Sequence, residues 1–221
     1  MLSIKDISKS YPGRGVVLDN LGLDISTGDS VAITGPSGSG KTTLMNIIGL
    51  LDRPDSGEIF FLDKSIQALD SNAASEYRNR NIGFVFQEHL LLPHLTVMEN
   101  IILPLMAAKL SDEEIEEKYN HGLSLMEKTG ITQIRDKYPY QISGGEAQRA
   151  TVVRALINKP SLLLADEPTG SLDMKNAEIL GDMLTEINRD LGIAIILATH
   201  SPDLARKMTR HLKLVDGKLT D

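Results

Sequence analysis

The stretch Gly35-Pro36-Ser37-Gly38-Ser39-Gly40-Lys41-Thr42-Thr43 lies between the apolar run Ser30–Thr34 and the amphipathic helical pattern Lys41–Leu51. It fills every fixed position of G-x-x-x-x-G-K-[ST], with Gly35, Gly40, Lys41 and Thr42 where the chemistry needs them. Glycines let backbone N–H groups turn inward around phosphate oxygens, and the helix start adds its partial positive charge. In such a loop Lys41 is expected to reach the β and γ phosphates, and the Thr42 hydroxyl to bind Mg²⁺. A turn that only joined a strand to a helix would need none of these fixed residues. The expectation is a nucleotide cradle, which by itself leaves a kinase, a switch GTPase and a motor open.

A second constellation is the adjacent pair Asp166 and Glu167, which ends the apolar run Ser161–Ala165. Open parallel sheets hold ligands in the crevice at such strand ends. Neighbouring side chains there point different ways, so Asp166 suits the outer shell of Mg²⁺. Glu167 suits the general base that polarises an attacking water. Downstream, Asp173 in Gly170–Asp173 reads as the N-cap of a helix. His200 ends the run Ile193–Thr199, and parallel register would bring it beside Glu167 and the γ phosphate. Ser201-Pro202 then signals entry into a helix.

A third stretch, Gln141-Ile142-Ser143-Gly144-Gly145-Glu146-Ala147-Gln148-Arg149, places two glycines before another amphipathic helix. It lies about a hundred residues from the phosphate loop and looks like a redundant anion-binding helix start.

The elements that must position these groups are legible in the hydrophobic pattern. Ser30–Thr34, Ile82–Phe86, Ser161–Ala165 and Ile193–Thr199 are nearly continuous apolar runs, as in parallel strands covered on both faces. Helical patterns occupy Lys41–Leu51, Val97–Ala108, Asp112–Thr129, Gly144–Asn158 and Asp173–Leu191. Strand-helix alternation predicts an α/β fold with a mainly parallel core sheet. Alternation in Leu2–Ser8, Val16–Ile25 and Gly57–Asp63 predicts a small antiparallel sheet beside it. Helices run on without a strand from about 88 to 156, which predicts a helical subdomain. Residues 1–87 and 157–221 would then form the core and the antiparallel β subdomain. Ser111-x-x-Glu114 is a capping box opening an acidic, solvated helix face.

Composition bounds the rest. The chain has 221 residues, 41% of them hydrophobic, enough for one unit with a satellite but not for two average domains. No apolar run reaches the length of a membrane span and the first residues lack a signal-peptide pattern, so a soluble, cytoplasmic chain is expected. There is no cysteine, which excludes disulfides and thiolate metal sites. A net charge of −7 with scattered Lys and Arg argues against a nucleic-acid partner, and 4% aromatic content removes the stacking platform for single strands.

Taken in order, these pieces resemble the nucleotide-binding subunit of an ATP-binding cassette (ABC) transporter over essentially the whole chain. Gly35–Thr43 matches Walker A, Gln87 in Phe84–Gln87 the Q-loop, Ile142–Arg149 the signature, Leu162–Pro168 Walker B, Ser171–Asp173 the D-loop and His200 the switch histidine. Tyr11 matches the adenine-stacking aromatic. The resemblance implies the P-loop NTPase fold, ATP and Mg²⁺ as ligands, and ATP hydrolysis assisted by Lys41, Glu167 and His200. It places Gln87 with Thr42 and Asp166 at the metal, and Asp173 at the nucleotide. It also implies that two copies pair head to tail, with Ser143, Gly144 and Gly145 of one closing on the ATP held by the other. That would account for the second glycine-rich helix start.

Two departures stand out, Ile142 and Glu146 where the family motif is Leu-Ser-Gly-Gly-Gln. Glu146 is expected to point away from phosphate or to pair with Arg149. The stretches Gly49–Gly57 and Phe84–Leu105 are similar to the subgroup for lipoprotein release, macrolide and peptide export and haem export. Its membrane permeases have four transmembrane helices and a large extracytoplasmic domain, so a place on the cytoplasmic face of the membrane is implied. The aliphatic segment Leu90–Leu105 is either core or a groove for a permease helix. FtsE-type cell-division ATPases look similar, so regulation of an extracytoplasmic process is the alternative. A DNA-repair ABC protein would need a long or zinc-bearing insertion before the signature. A small-molecule kinase would leave the signature and His200 unexplained.

Overall fold

The computed structural model describes residues 1–108 and 110–220. The chain opens with a hairpin of β1 (Leu2–Tyr11) and β2 (Gly15–Ile25), then β3 (Ser30–Thr34) and α1 (Lys41–Ile48). Next come β4 (Ser56–Phe61), β5 (Lys64–Ser65), α2 (Ser71–Asn81) and β6 (Ile82–Val85). Helices α3 (Val97–Ile102), α4 (Asp112–Lys128) and α5 (Gly144–Leu156) follow before β7 (Leu162–Asp166). The chain continues through α6 (Met174–Leu191), β8 (Ala194–Ala198), α7 (Pro202–Arg206), β9 (Arg210–Val215) and β10 (Lys218–Thr220).

Two sheets form. A six-stranded sheet runs β10-β9-β3-β8-β7-β6, parallel except for the β10–β9 pair. A four-stranded antiparallel sheet runs β2-β1-β4-β5. The apolar runs hide a period of two that the packing resolves. Val31, Ile33, Leu162, Leu164, Ala194, Ile196 and Ala198 join a core with α1 and the antiparallel sheet. Their neighbours Ala32, Leu163, Ala165, Ile195 and Leu197 face the opposite way, into a core with α3, α4, α5 and α6. Each strand is thus covered on both sides, as near-continuous hydrophobicity requires. The helices between β6 and β7 share this second core with the sheet.

Three local features depart from the sequence reading. The helix expected over Val97–Ala108 ends at Ile102 and tightens into a 3₁₀ turn over Leu103–Ala107. Pro104 lacks the N–H that would bond to the Asn100 carbonyl, and its ring crowds that carbonyl. α1 likewise stops at Ile48, before Gly49. A Cβ on Gly49 would lie 2.8 Å from Phe84 Cε1, so this close approach of α1 to β6 excludes any side chain. α2, β9 and β10 were not read from the pattern at all. Only Ala74 and Tyr77 of α2 are buried, which is too sparse to show a helical period.

Candidate nucleotide site

The phosphate loop is set by β3 behind it and α1 ahead. Gly40 caps α1 with φ of 107°, a conformation costly for other residues, and leaves the helix start without a side-chain cap. Lys41 is 8% exposed and folds back over the loop, donating to the carbonyls of Gly35 at 2.9 Å and Pro36 at 3.1 Å. The Ser39 hydroxyl is buried without a partner in the protein. An orphan hydroxyl and an uncapped helix start are groups that an anion would satisfy.

Across a cleft of about 620 Å³ lie Gln87, Glu167 and His200, facing Gly35–Gly38, Gly40 and Lys41–Thr43. Parallel pairing aligns Asp166 of β7 with Ala198 of β8, and the Glu167 N–H bonds to the Ala198 carbonyl at 2.8 Å. This register brings His200 to Glu167, as the sequence predicts. The His200 ring nitrogen Nδ1 lies 2.8 Å from Glu167 Oε2, and the His200 backbone N–H donates to the same oxygen at 3.2 Å. Glu167 Oε1 is 3.9 Å from Lys41 Nζ. Glu167 itself has φ of 48°, a left-handed conformation that costs a non-glycine residue about 1–2 kcal/mol. The strain points its carboxylate into the cleft, between the Lys41 ammonium and the His200 ring.

Asp166 lies deeper. Its Oδ1 is buried with no partner, and burial is the largest influence on its carboxyl, pushing its pKa up against the Thr42 hydroxyl bond that lowers it. Beside Thr42, with Gln87 lining the same cleft, that orphan oxygen fits a divalent cation bound through oxygen ligands. Among the described residues no cluster of three His, Cys, Asp or Glu exists, so such a cation would complete its shell with phosphate and water.

Tyr11 lies at the rim and does not line the cleft. Its hydroxyl bonds to Asp52, and Lys9 Nζ sits 5.1 Å from its ring centroid. Asp173 caps α6, accepting from the Asn176 N–H at 2.8 Å as its position predicts. Ser143, Gly144 and Gly145 are outside this cleft. Ser143 and Gly144 are exposed at the start of α5, while Gly145 is buried against Asn176.

Of the two expectations for Glu146, the pairing with Arg149 fails: the Arg149 Nε is buried without a partner. Glu146 Oε2 instead accepts from the Ser143 N–H at 2.9 Å and the Ser143 hydroxyl at 2.8 Å. The Ser143 oxygen in turn accepts from the Glu146 N–H, closing a capping box. These bonds from Ser143 hold the Glu146 carboxyl below the usual range. The Ser143 hydroxyl must leave Glu146 before it can donate to any phosphate.

Four further residues were missed. Arg14, from the β1–β2 turn, lines the cleft and donates to the Gly38 carbonyl at 2.6 Å. Asn100, Gln148 and Arg154 hold the segment after β6 from buried or half-buried positions. A polar residue on the apolar face of a helix pattern was the available signal for the last three.

The family model for the ABC transporter matches residues 18–170. The chain is 41% identical over 224 residues to the lipoprotein-releasing system ATP-binding protein LolD of Myxococcus xanthus, covering 100% of this chain and 99% of that protein. It is 40% identical over 222 residues to LolD of Pseudomonas fluorescens, covering 99% and 96%. The dimeric post-hydrolysis state of the ATP-binding cassette MJ0796 bound to ADP and Pi is similar with a TM-score of 0.86 at 36% identity, covering 100% of this chain and 97% of that one. CbiO1 from Clostridium perfringens, part of an ABC transporter complex, has a TM-score of 0.88 at 28% identity, covering 100% and 86%. A phosphate loop, a strand-end Glu167 held by His200, and full-length likeness to LolD proteins agree: the chain belongs to the ABC transporter family, as an ATP-binding and ATP-hydrolysing subunit.

Proposed function

We propose that two copies of this chain close around two ATP molecules and that closure drives a separate membrane subunit, which extracts or exports a lipid-anchored or apolar cargo. The observation that carries the hydrolytic half is Glu167, strained into the cleft between Lys41 and His200. Glu167 takes the proton of the attacking water, and His200 holds the carboxylate and the γ phosphate in place. Lys41 exchanges the carbonyls of Gly35 and Pro36 for phosphate oxygens as negative charge shifts toward the leaving group. Mg²⁺, held by Thr42, Asp166 and Gln87, would neutralise phosphate charge when bound. The Tyr11 ring meets adenine at the rim of the cleft, and Asp173 lies at the junction of the two copies.

Ser143, Gly144 and Gly145 complete the partner's site rather than their own. Met174, 89% exposed beside Asp173, becomes buried in the same closure. Residues from about 88 to 156 act as the helical subdomain that carries the signature toward the partner chain. Leu90 and Leu92, 52% and 46% exposed, receive a cytoplasmic helix of a four-helix permease with a large extracytoplasmic domain. Attachment to the cytoplasmic face runs through that permease, and no helix among the described residues is long and apolar enough to cross a membrane. The likeness to LolD supports a lipoprotein as cargo. Glu167→Gln tests the base: hydrolysis should fall by about 100-fold or more while an ATP-bound dimer accumulates. Turnover at the parental rate would remove Glu167 from that role.

A further inference from the structure

The segment after β6 carries Gln87 into the cleft and Leu90 and Leu92 to the surface, yet its carbonyls are held almost entirely by side chains. Gln148, 1% exposed on α5, donates its Nε2 to the Phe86 carbonyl at 2.7 Å. Arg154, further along α5, donates to the His89 carbonyl at 3.0 Å and to the Leu90 carbonyl at 2.9 Å. The Gln87 carbonyl accepts from the Ser171 hydroxyl at the longer distance of 3.2 Å. Asn100 of α3, fully buried, secures the next residues through Leu92 N–H at 2.7 Å and Leu92 C=O at 3.1 Å. Burial pulls the Arg154 pKa down, yet a guanidinium stays charged and must keep acceptors.

The anchors are arranged in a particular way. Gln148 grips the chain before Gln87 and Arg154 grips it after, both from the helix that begins at Ser143–Gly145. Gln87 therefore cannot shift toward a nucleotide without pulling α5 or breaking a bond to a buried donor. Three of these bonds come from α5, those to Leu92 come from α3, and the loop after β7 contributes the single Ser171 hydroxyl.

We propose that Gln148 and Arg154 are positioning residues that lock the Gln87–Leu92 segment to α5, so that seating the signature on the partner's nucleotide moves the Leu90–Leu92 edge with it. The proposal rests on the reading that the signature completes a second copy's site. It supplies the mechanical link from that site to the membrane face, and it assigns the link to two side chains outside the nucleotide cleft.

The test uses the whole chain, which contains no cysteine, so Leu92→Cys introduces a single thiol. In a Glu167→Gln background, maleimide modification of that thiol is timed with and without ATP and Mg²⁺, and dimerisation is followed by size exclusion. With Gln148 and Arg154 intact, ATP should change the modification rate by about fivefold or more. Gln148→Met, which fills the same space without a donor, should dimerise with ATP but lose most of that change. Arg154→Lys, which keeps the charge but reaches fewer carbonyls, should lose part of it, while Gln148→Asn should restore none. An unchanged ATP response in Gln148→Met and Arg154→Lys would overturn the lock, as would a parent that dimerises with no response at Leu92→Cys. A parent that does not dimerise with ATP would instead overturn the reading of the signature, and the lock with it.

Discussion

Gly144→Ala and Gly145→Ala add the same methyl group one residue apart on the first turn of α5, and the structure gives the two opposite costs. A Cβ on Gly144 meets nothing within 4 Å. At a helical position with open space, alanine should stabilise the chain by about 0.5–1 kcal/mol, or about 1–4 °C in Tm for a chain of this size. A Cβ on Gly145 lies 2.6 Å from Asn176 Cγ and 3.2 Å from its Cβ. Asn176 cannot swing aside freely, because its Nδ2 donates to both Asp173 oxygens at 3.0 and 2.9 Å. Overpacking there should cost about 2 kcal/mol, lowering Tm by about 4–8 °C, and Asn176→Ala should recover most of it. The informative variant is therefore Gly144→Ala. If a partner's γ phosphate approaches the exposed N–H groups at this helix start, a methyl there should slow hydrolysis at least about tenfold in a chain that melts no lower. Differential scanning fluorimetry and phosphate release measure both. Parental turnover in Gly144→Ala would refute close approach of a ligand to α5. Equal melting of the two variants would refute the tethering of Asn176.

Other consequences follow from the side-chain geometry. Glu146→Gln keeps an acceptor for Ser143 but loses the charge-assisted part of the cap, so the α5 start should weaken by under about 1 kcal/mol in its half-exposed setting. Because folding depresses the Glu146 pKa, the parent's advantage is present above the ordinary carboxylate value and is lost as pH falls through the folded one. Melting curves of parent and variant should converge as pH falls well below the ordinary carboxylate range, and a gap that widens there would contradict the assignment. Asp52→Ala removes the carboxylate that accepts from the Tyr11 hydroxyl, and leaves Lys9 Nζ with the Arg53 carbonyl and Asp55. ATP affinity, measured by a titration of fluorescent nucleotide, should weaken a few-fold with kcat unchanged, and unaltered affinity would detach Tyr11 from adenine.

What the sequence revealed and what it hid follow the same physics. Gly35–Thr43, Asp166 and Glu167 were legible because their spacing is dictated by phosphate and metal chemistry, and their strands because both-face burial leaves unbroken apolar runs. His200 could be placed beside Glu167 because parallel register from β7 to β8 leaves little freedom. α2 was invisible because two buried residues make no period, and β9 because Leu212 and Leu214 are its only fully covered side chains. The end of α3 was misjudged although Pro104 stood in the pattern. The failed Arg149 pairing of Glu146 is instructive. Ser143-x-x-Glu146 has the spacing that was read as a cap at Ser111-x-x-Glu114, where the structure confirms the same reciprocal bonds. Attention to phosphate and to Arg149 obscured the local partner. Gln148 and Arg154 interrupt an apolar helix face, but their acceptors are carbonyls of a distant irregular segment, which no periodicity identifies.

Each hydrolytic site is proposed to combine the phosphate loop of one copy with the α5 start of another. Mixing two inactive chains tests it directly. Lys41→Ala damages the phosphate loop and spares the signature, whereas Gly144→Arg blocks the signature and spares the loop. Each alone should hydrolyse almost nothing. In an equal mixture about half the dimers are mixed, and one of the two sites in each is intact, so turnover should recover to about a quarter of the parental rate if sites act independently. A mixture no more active than its separate components would contradict a shared site.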